Sequence, residues 1–186
     1  SDCALVALVQ QAREGGEVPE LTAAQKKRLP KAEKHVRAVP IQRRHYRSDR
    51  ANLKEGDLVI VQDFTKHDKD IHTTTQQDHI IVFYWRENGG EYYCMEHFIG
   101  PDGLKNDVRF SMYVWALLQT HERVLEAKRI VVWSDNGPKH FKLSAYMMFM
   151  SIWASAMGKL VSLRFNAPYH GACVADSAAA HLKIRA

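Results

Sequence analysis

The chain has 186 residues, 46% hydrophobic and 25% charged, which is the composition of a globular protein with one main domain and a sizeable core. No apolar run approaches the roughly 18 residues that a membrane span needs, and no signal-peptide pattern opens the chain. These features exclude a membrane partner. Three widely spaced cysteines suit neither a disulfide framework nor a zinc pair, so we expect a soluble, intracellular protein of a reducing compartment.

The net charge of +5 is concentrated near the N-terminus. Residues 26–50 hold ten Lys and Arg against two Asp and Glu, a local balance of +8, so the rest of the chain carries −3. Residues 1–50 are therefore predicted to form a basic N-terminal arm or linker. Such an arm is more typical of a segment that binds nucleic-acid phosphates electrostatically than of a solvated linker or a scaffold-binding tail. Arg43 and Arg44 are candidate contacts.

Two kinds of local signal divide this arm. Residues Cys3–Ala12 are predicted to form a short helix, and Pro30 and Pro40 interrupt the basic stretch that follows. The first residue is Ser1, and the last helix signal stops soon after it begins. We therefore expect a processed chain or part of a longer one, with a C-terminal helix that is truncated.

Five apolar runs downstream of the arm predict β-strands. They are Leu58–Val61, Asp78–Trp85, Glu91–Ile99, Arg129–Ser134 and Leu160–Phe165. Asn88-Gly89-Gly90 lies between the second and third runs, and it predicts an antiparallel hairpin because glycine accepts positive φ.

Apolar residues at helical spacing predict three helices in the same region. They are Asn106–Ala127, Leu143–Met157 and Val174–Ile184. The first of them carries the chain across the sheet, so the fourth strand should run parallel to the first. The predicted order is βββαβαβα, an α/β fold whose five-stranded mixed sheet is flanked by helices.

Three aspartates stand at the ends of predicted elements. Asp63 ends the first strand, Asp135 follows the fourth strand before a Gly-Pro break, and Asp176 lies in the first turn of the last helix. Carboxylate oxygens held on rigid backbone are the ligands that Mg²⁺ prefers. The alternative for residues 135–138 is a turn with an Asx hydrogen bond.

The element order and the three acids resemble the ribonuclease-H-like fold and, within it, the catalytic core of retroviral integrases and DDE or DDD transposases. Residues Asp63–Thr65 are similar to the first catalytic motif. Ser134-Asp-Asn-Gly-Pro-x-x-Phe141 is similar to the second motif and is the most specific match. The residues that match the third motif, in the same order, are Pro168, Gly171, Asp176 and Leu182-Lys183.

Two departures from the integrase pattern concern the third acid. Asp176 stands where integrases carry Glu, one methylene longer, so the last helix must lie closer to the metal ions for this ligand to be kept. The spacing between Gly171 and Asp176 is also wider than the integrase spacing. The resemblance covers the chain from about Gly56 onward.

The resemblance implies a metal-dependent polynucleotidyl transferase or nuclease over residues 51–186. Asp63 would bridge two Mg²⁺ or Mn²⁺ ions, Asp135 would hold one and Asp176 the other, with the ions roughly 3.5 to 4 Å apart. The substrate would be DNA rather than RNA, in a homo-oligomer or a larger nucleoprotein assembly, and in the nucleus of a eukaryotic cell. Further candidate contacts to nucleic acid are Lys139, His140, Lys142 and His170.

Two other functions are compatible with the same residues. A domesticated, non-catalytic relative would keep the fold and the basic arm as a nucleic-acid-binding or structural subunit of a larger assembly. The three acids argue against it, since buried like charges are unfavourable without a role. A host nuclease of the same fold, such as a ribonuclease H or junction resolvase, is disfavoured by the Ser-Asp-Asn-Gly-Pro motif.

Overall fold

The structure is a computed structural model that describes residues 2–16, 19–66, 77–100, 107–135 and 141–166. The chain divides into two compact units, Ser1–His45 and Tyr46–Ala186. Helix α2 contributes residues to both. Within the described ranges, no helix is long and apolar enough to cross a membrane.

The basic stretch of the first unit is helical. Helix α1 spans Asp2–Glu14, and helix α2 spans Ala23–Ala51 with Pro30 and Pro40 inside it. This differs from the arm that the sequence predicts to be interrupted at its prolines. A proline within a helix costs about 3 kcal/mol because it lacks an N–H and crowds the preceding turn.

Capping and packing offset the effect of the prolines on helix α2. Thr22 and Gln25 form a reciprocal capping box at its start: the Thr22 N–H donates to Gln25 Oε1 over 2.8 Å, and the Gln25 N–H donates to Thr22 Oγ1 over 3.2 Å. Ala32 of this helix packs in a buried cluster with Leu5 and Val6 of α1. Most other residues between the prolines and the helix ends are good helix formers.

The second unit is built on a five-stranded mixed sheet in the order β3-β2-β1-β4-β5. The strands are β1 (Asp57–Lys66), β2 (Gln77–Glu87), β3 (Gly90–Ile99), β4 (Arg129–Ser134) and β5 (Leu160–Phe165). Strands β1, β2 and β3 pair antiparallel, whereas β4 pairs parallel with both β1 and β5. The predicted mixed sheet and the predicted parallel pair of first and fourth strands are confirmed.

The predicted hairpin between β2 and β3 is also confirmed. Asn88 and Gly89 have φ values of 51° and 77°, so both central residues of the turn are left-handed. This is the turn whose twist matches that of two antiparallel strands.

The single helix predicted over Asn106–Ala127 is wrong. Helix α3 spans Val108–Leu117, a 3₁₀ turn covers Leu118–Thr120, and helix α4 spans Glu122–Glu126. The break lies at His121, which has extended backbone and whose ring Nδ1 accepts a hydrogen bond from the Arg123 N–H over 3.2 Å. Helix α5 spans Ser144–Ala156, and the predicted last helix lies outside the described residues.

The sheet has two packed faces. The face that packs against α3, α4 and α5 is called the helical face, and its sheet residues are Leu58, Ile60, Ile81, Phe83, Ile130 and Val132. The other side is called the opposite face, and its sheet residues are Val59, Val61, Ile80, Val82, Tyr84, Val131 and Trp133. This alternation along each strand assigns a face to every strand residue that follows.

The last turns of α2 are attached to the opposite face within the second unit. Asp49 Oδ2 accepts a hydrogen bond from Trp133 Nε1 over 2.9 Å and pairs with Arg164 Nε at 2.9 Å. The Arg50 guanidinium lies 4.1 Å from the centre of the Tyr84 ring and pairs with Glu91 at 2.6 Å. The end of the basic helix is therefore part of the sheet domain.

Candidate active site

Asp63 lies within β1, which continues to Lys66, and Asp135 directly follows the last residue of β4. The prediction that Asp63 ends its strand is therefore wrong, because pairing with β2 extends the strand to Lys66. The register of β1 and β4 pairs Val61 with Trp133 and Gln62 with Ser134. The next residue in sequence is Asp63 after Gln62 and Asp135 after Ser134. Neighbouring strands are about 4.8 Å apart, so the two backbones reach Asp63 and Asp135 at the same level of the sheet. The register thus aligns the backbone positions of two of the three predicted acids.

The alternation of each strand indicates which face of the sheet its aspartate is nearest. Gln62 and Phe64 face α3–α5, since Gln62 bonds to Trp115 and Tyr146 and Phe64 packs in the helical-face core. The alternation of β1 therefore turns Asp63 to the opposite face. On β4, Trp133 belongs to the opposite face, and a continued two-residue period would give that side to Asp135, which follows the strand.

The aspartates are partly exposed, and a local hydrogen bond orients Asp63. Both are half-buried, and Asp63 Oδ1 accepts a hydrogen bond from the Phe64 N–H over 2.7 Å. The Phe64 ring stacks on His79 at 4.5 Å and on Phe141 at 5.4 Å between ring centres. Aromatic packing on one side of β1 therefore fixes the backbone that carries Asp63 on the other side.

A buried hydrogen-bond network joins the two strands one residue before the acids. Gln62 Nε2 donates to Ser134 Oγ over 2.8 Å and to Tyr146 Oη over 2.7 Å, and Gln62 Oε1 accepts from Trp115 Nε1 over 3.0 Å. Burial raises the pKa of the Tyr146 phenol, so Tyr146 is neutral and takes part as a hydroxyl. The network fixes β1 and β4 in the register that places Asp63 beside Asp135.

The remaining predicted site residues fall into two groups. Lys142 is exposed, with its Nζ 6.0 Å from the centre of the Phe165 ring, and Arg43 and Arg44 are exposed on α2 in the first unit. The predicted residues that lie outside the described ranges are Lys139, His140, His170 and Asp176.

The donors present suit a hard divalent cation. Two carboxylates, one within β1 and one directly after β4, offer oxygen ligands, which is the chemistry that Mg²⁺ and Mn²⁺ prefer. In the part of the chain that the structure describes, no group of three or more His, Cys, Asp or Glu side chains could hold a metal ion. The predicted third ligand, Asp176, lies outside that part.

A second polar pair at this end of the sheet was not predicted from the sequence. Asp78 Oδ2 lies 2.7 Å from His97 Nδ1, between β2 and β3. The two residues are 19 positions apart in the chain. Only the register of the hairpin brings them together, and the sequence alone does not fix that register.

The strand order β3-β2-β1-β4-β5, with three antiparallel strands and a parallel β1-β4-β5 group, decides the architecture. The fold is ribonuclease-H-like. No protein-family model matches the sequence, and no curated protein matches it.

Two solved structures have similar chains. LC9-RNase H1, a type 1 RNase H with the type 2 active-site motif, superposes with a TM-score of 0.45 at 12% identity, over 72% of this chain and 73% of that one. The simian T-cell lymphotropic virus intasome in complex with PP2A regulatory subunit B56 gamma gives a TM-score of 0.40 at 12% identity. That match covers 71% of this chain and 43% of the intasome chain.

Proposed function

We propose that the chain is a metal-dependent nuclease or polynucleotidyl transferase of integrase or transposase type, with residues 51–186 as its catalytic core. The substrate would be a DNA phosphodiester that is cut or joined. One observation carries the proposal: the parallel register of β1 and β4 pairs Gln62 with Ser134, so that Asp63 and Asp135 follow the last paired residues of the two strands.

Asp63 and Asp135 would hold the metal, with Asp176 as the third ligand predicted from sequence. Bound Mg²⁺ or Mn²⁺ ions supply Lewis acidity, which activates the attacking oxygen and stabilises the leaving one. The chain's own contribution is to keep two like charges adjacent on rigid strands. The hydrogen bonds of Gln62 to Ser134 and Tyr146 support that arrangement from within the core.

The proposed partner is nucleic acid, DNA in preference to RNA, bound by a homo-oligomer or within a larger nucleoprotein assembly. The exposed cations of α2, Arg43 and Arg44 among them, and Lys142 supply positive charge for phosphate contacts. Lys139, His140 and His170 are assigned the same role from the sequence. A reducing compartment, the nucleus in a eukaryotic cell, goes with this function.

Cleavage of a labelled oligonucleotide with Mg²⁺ or Mn²⁺ tests the proposal. We expect cleavage or strand joining that is lost in Asp63→Asn and in Asp135→Asn. Glu122→Gln is the matched control, because Glu122 lies on α4 at the other end of β4 with a side chain that is 73% exposed. Loss of activity in the control as well would show that any removed carboxylate matters, and the two aspartates would have no special role.

The same experiment separates the catalytic function from its alternative. Salt-sensitive binding of the oligonucleotide without turnover, unchanged in both Asn variants, would identify a non-catalytic nucleic-acid-binding subunit. Turnover that persists in both variants would contradict the proposed site while leaving the enzyme class open.

A further inference from the structure

The Asp78–His97 pair combines a buried carboxylate with an exposed ring. The Asp78 side chain is 0% exposed and the His97 side chain is 31% exposed, with 2.7 Å between Oδ2 and Nδ1. Of the residues that the structure describes, Asp78 is the only side-chain partner of the His97 ring. The bond at Nδ1 fixes the orientation of the ring and leaves Nε2 as the atom that meets a ligand.

This pair lies at the same end of the sheet as Asp63. The register places Asp63 beside Ile80 and Ile80 beside His97, across the three antiparallel strands. Two strand spacings put the Asp63 and His97 backbones about 10 Å apart.

The pair also lies on the same face as Asp63. Ile80 belongs to the opposite face and Met95 packs against it, so alternation gives that face to Asp78 on β2 and to His97 on β3. Asp63, Asp78 and His97 therefore share one end and one face of the sheet, at the end where Asp135 follows β4.

We propose that His97, oriented by Asp78, contacts the nucleic-acid strand about three nucleotides away from the phosphodiester bound at Asp63 and Asp135. This inference rests on the proposed function. A stacked strand advances about 3.4 Å per nucleotide, so it covers the distance from Asp63 to His97 in about three nucleotides. A strand that crosses β1, β2 and β3 at this end passes over His97.

The contact atom is Nε2, and its chemistry has two forms. As an imidazolium, the ring donates from Nε2 to a phosphate oxygen. As a neutral ring with its hydrogen on Nδ1, it accepts at Nε2 from a sugar hydroxyl or a base N–H. Both groups belong to the same strand, and the salt dependence of binding separates them, because only a phosphate contact releases counterions.

Two amide variants separate the structural role of His97 from the binding role. His97→Asn places an N–H close to the position of Nδ1, so it keeps the bond to Asp78 and removes Nε2. His97→Gln places an N–H close to the position of Nε2, so it keeps the outer donor and loses the bond to Asp78. Tyr93→Phe on the same strand, at a position 65% exposed, controls for changes to β3.

The readout is the affinity for a labelled single-stranded oligonucleotide without divalent metal, measured by fluorescence anisotropy over a range of salt concentrations. We expect His97→Asn to bind about five- to tenfold more weakly, and His97→Gln to recover part of the loss. If His97 contacts a phosphate, the loss of that contact in His97→Asn also reduces the magnitude of the slope of log affinity against log salt by about 0.7. An unchanged slope assigns the contact to a sugar or base.

Thermal unfolding of each variant shows whether the amide exchanges disturb the fold. Equal affinity of wild type and both variants would overturn the contact and leave the proposed function intact. A loss of affinity that parallels the loss of thermal stability, with the largest loss of affinity in His97→Gln, would also overturn the contact. Wild-type protein that binds no oligonucleotide would overturn the proposed function and this inference together.

Discussion

Replacing Gln62 by Met tests the buried network that holds β1 against β4. Met has nearly the same volume, so the exchange removes hydrogen bonds without leaving a large cavity. It leaves Ser134 Oγ, Tyr146 Oη and Trp115 Nε1 without the partner that each has at Gln62. All three residues are buried, with exposures of 2%, 0% and 0%.

The expected loss of stability follows from those three groups. A buried polar group that loses its partner costs about 1 to 3 kcal/mol, and burial of the Met side chain recovers part of this. We expect the free energy of unfolding to fall by about 3 to 5 kcal/mol. Tyr146→Phe removes only one acceptor of the Gln62 amide, so it should cost about 1 to 2 kcal/mol.

Urea unfolding monitored by tryptophan fluorescence measures both changes, as a lower midpoint with an unchanged m-value. Gln119→Met makes the same chemical exchange at an exposed position of the 3₁₀ turn and should change stability by less than about 0.5 kcal/mol. A loss below about 1 kcal/mol in Gln62→Met, or a loss in Tyr146→Phe as large as in Gln62→Met, would refute this account of the network.

Two further predictions concern ion pairs of the sheet domain. Asp49→Ala removes the acceptor of Trp133 Nε1 and the partner of Arg164, so we expect urea unfolding to show that the free energy of unfolding falls by about 2 kcal/mol. Asp49→Asn keeps an oxygen acceptor for Trp133 and should lose less stability. Equal losses in the two variants would contradict the role of the Trp133 bond. The hydrogen bond from Arg129 holds the pKa of Asp57 below its ordinary value of 3.8, so the stability from this pair is complete above pH 3.8 and is lost as the pH falls through the lower folded-state value. Arg129→Met should flatten that acid dependence in unfolding curves taken between about pH 2 and 5, and an unchanged pH profile would exclude the pair as its source.

The sheet could be predicted because its signals are local. Ile130–Val132 form an apolar run buried on both faces, and the glycine-rich turn after Asn88 gives a two-residue hairpin. The parallel pairing of β1 and β4 follows from a helical crossover, which the helical spacing of apolar residues before β4 predicts. Asp63 and Asp135 were therefore predictable as neighbours.

The helix break at His121 depends on contacts that are distant in the sequence. The His121 ring stacks on Phe83 of β2 at 4.5 Å, and its Nε2 lies 2.9 Å from Glu96 of β3. These contacts hold the ring where its Nδ1 caps α4. The sequence between Asn106 and Ala127 gives no local signal of a helix break, since it contains neither Gly nor Pro.

Helix α2 begins with a local signal that favours a helix, whereas its two prolines predict an interruption. Thr22-x-x-Gln25 is a capping-box pattern that can be recognised without a structure. The attachment of Asp49 to Trp133, by contrast, joins residues 84 positions apart. The tertiary anchor of the helix could not be predicted from its own residues.

Metal binding by the two aspartates is the most direct test of the proposed site. Titration calorimetry with Mn²⁺ should show binding to the wild-type chain that weakens at least tenfold, about 1.4 kcal/mol, in Asp63→Asn and again in Asp135→Asn. The Glu122→Gln control should bind as the wild type does. Unchanged Mn²⁺ affinity in either aspartate variant would contradict the claim that Asp63 and Asp135 hold the cation together.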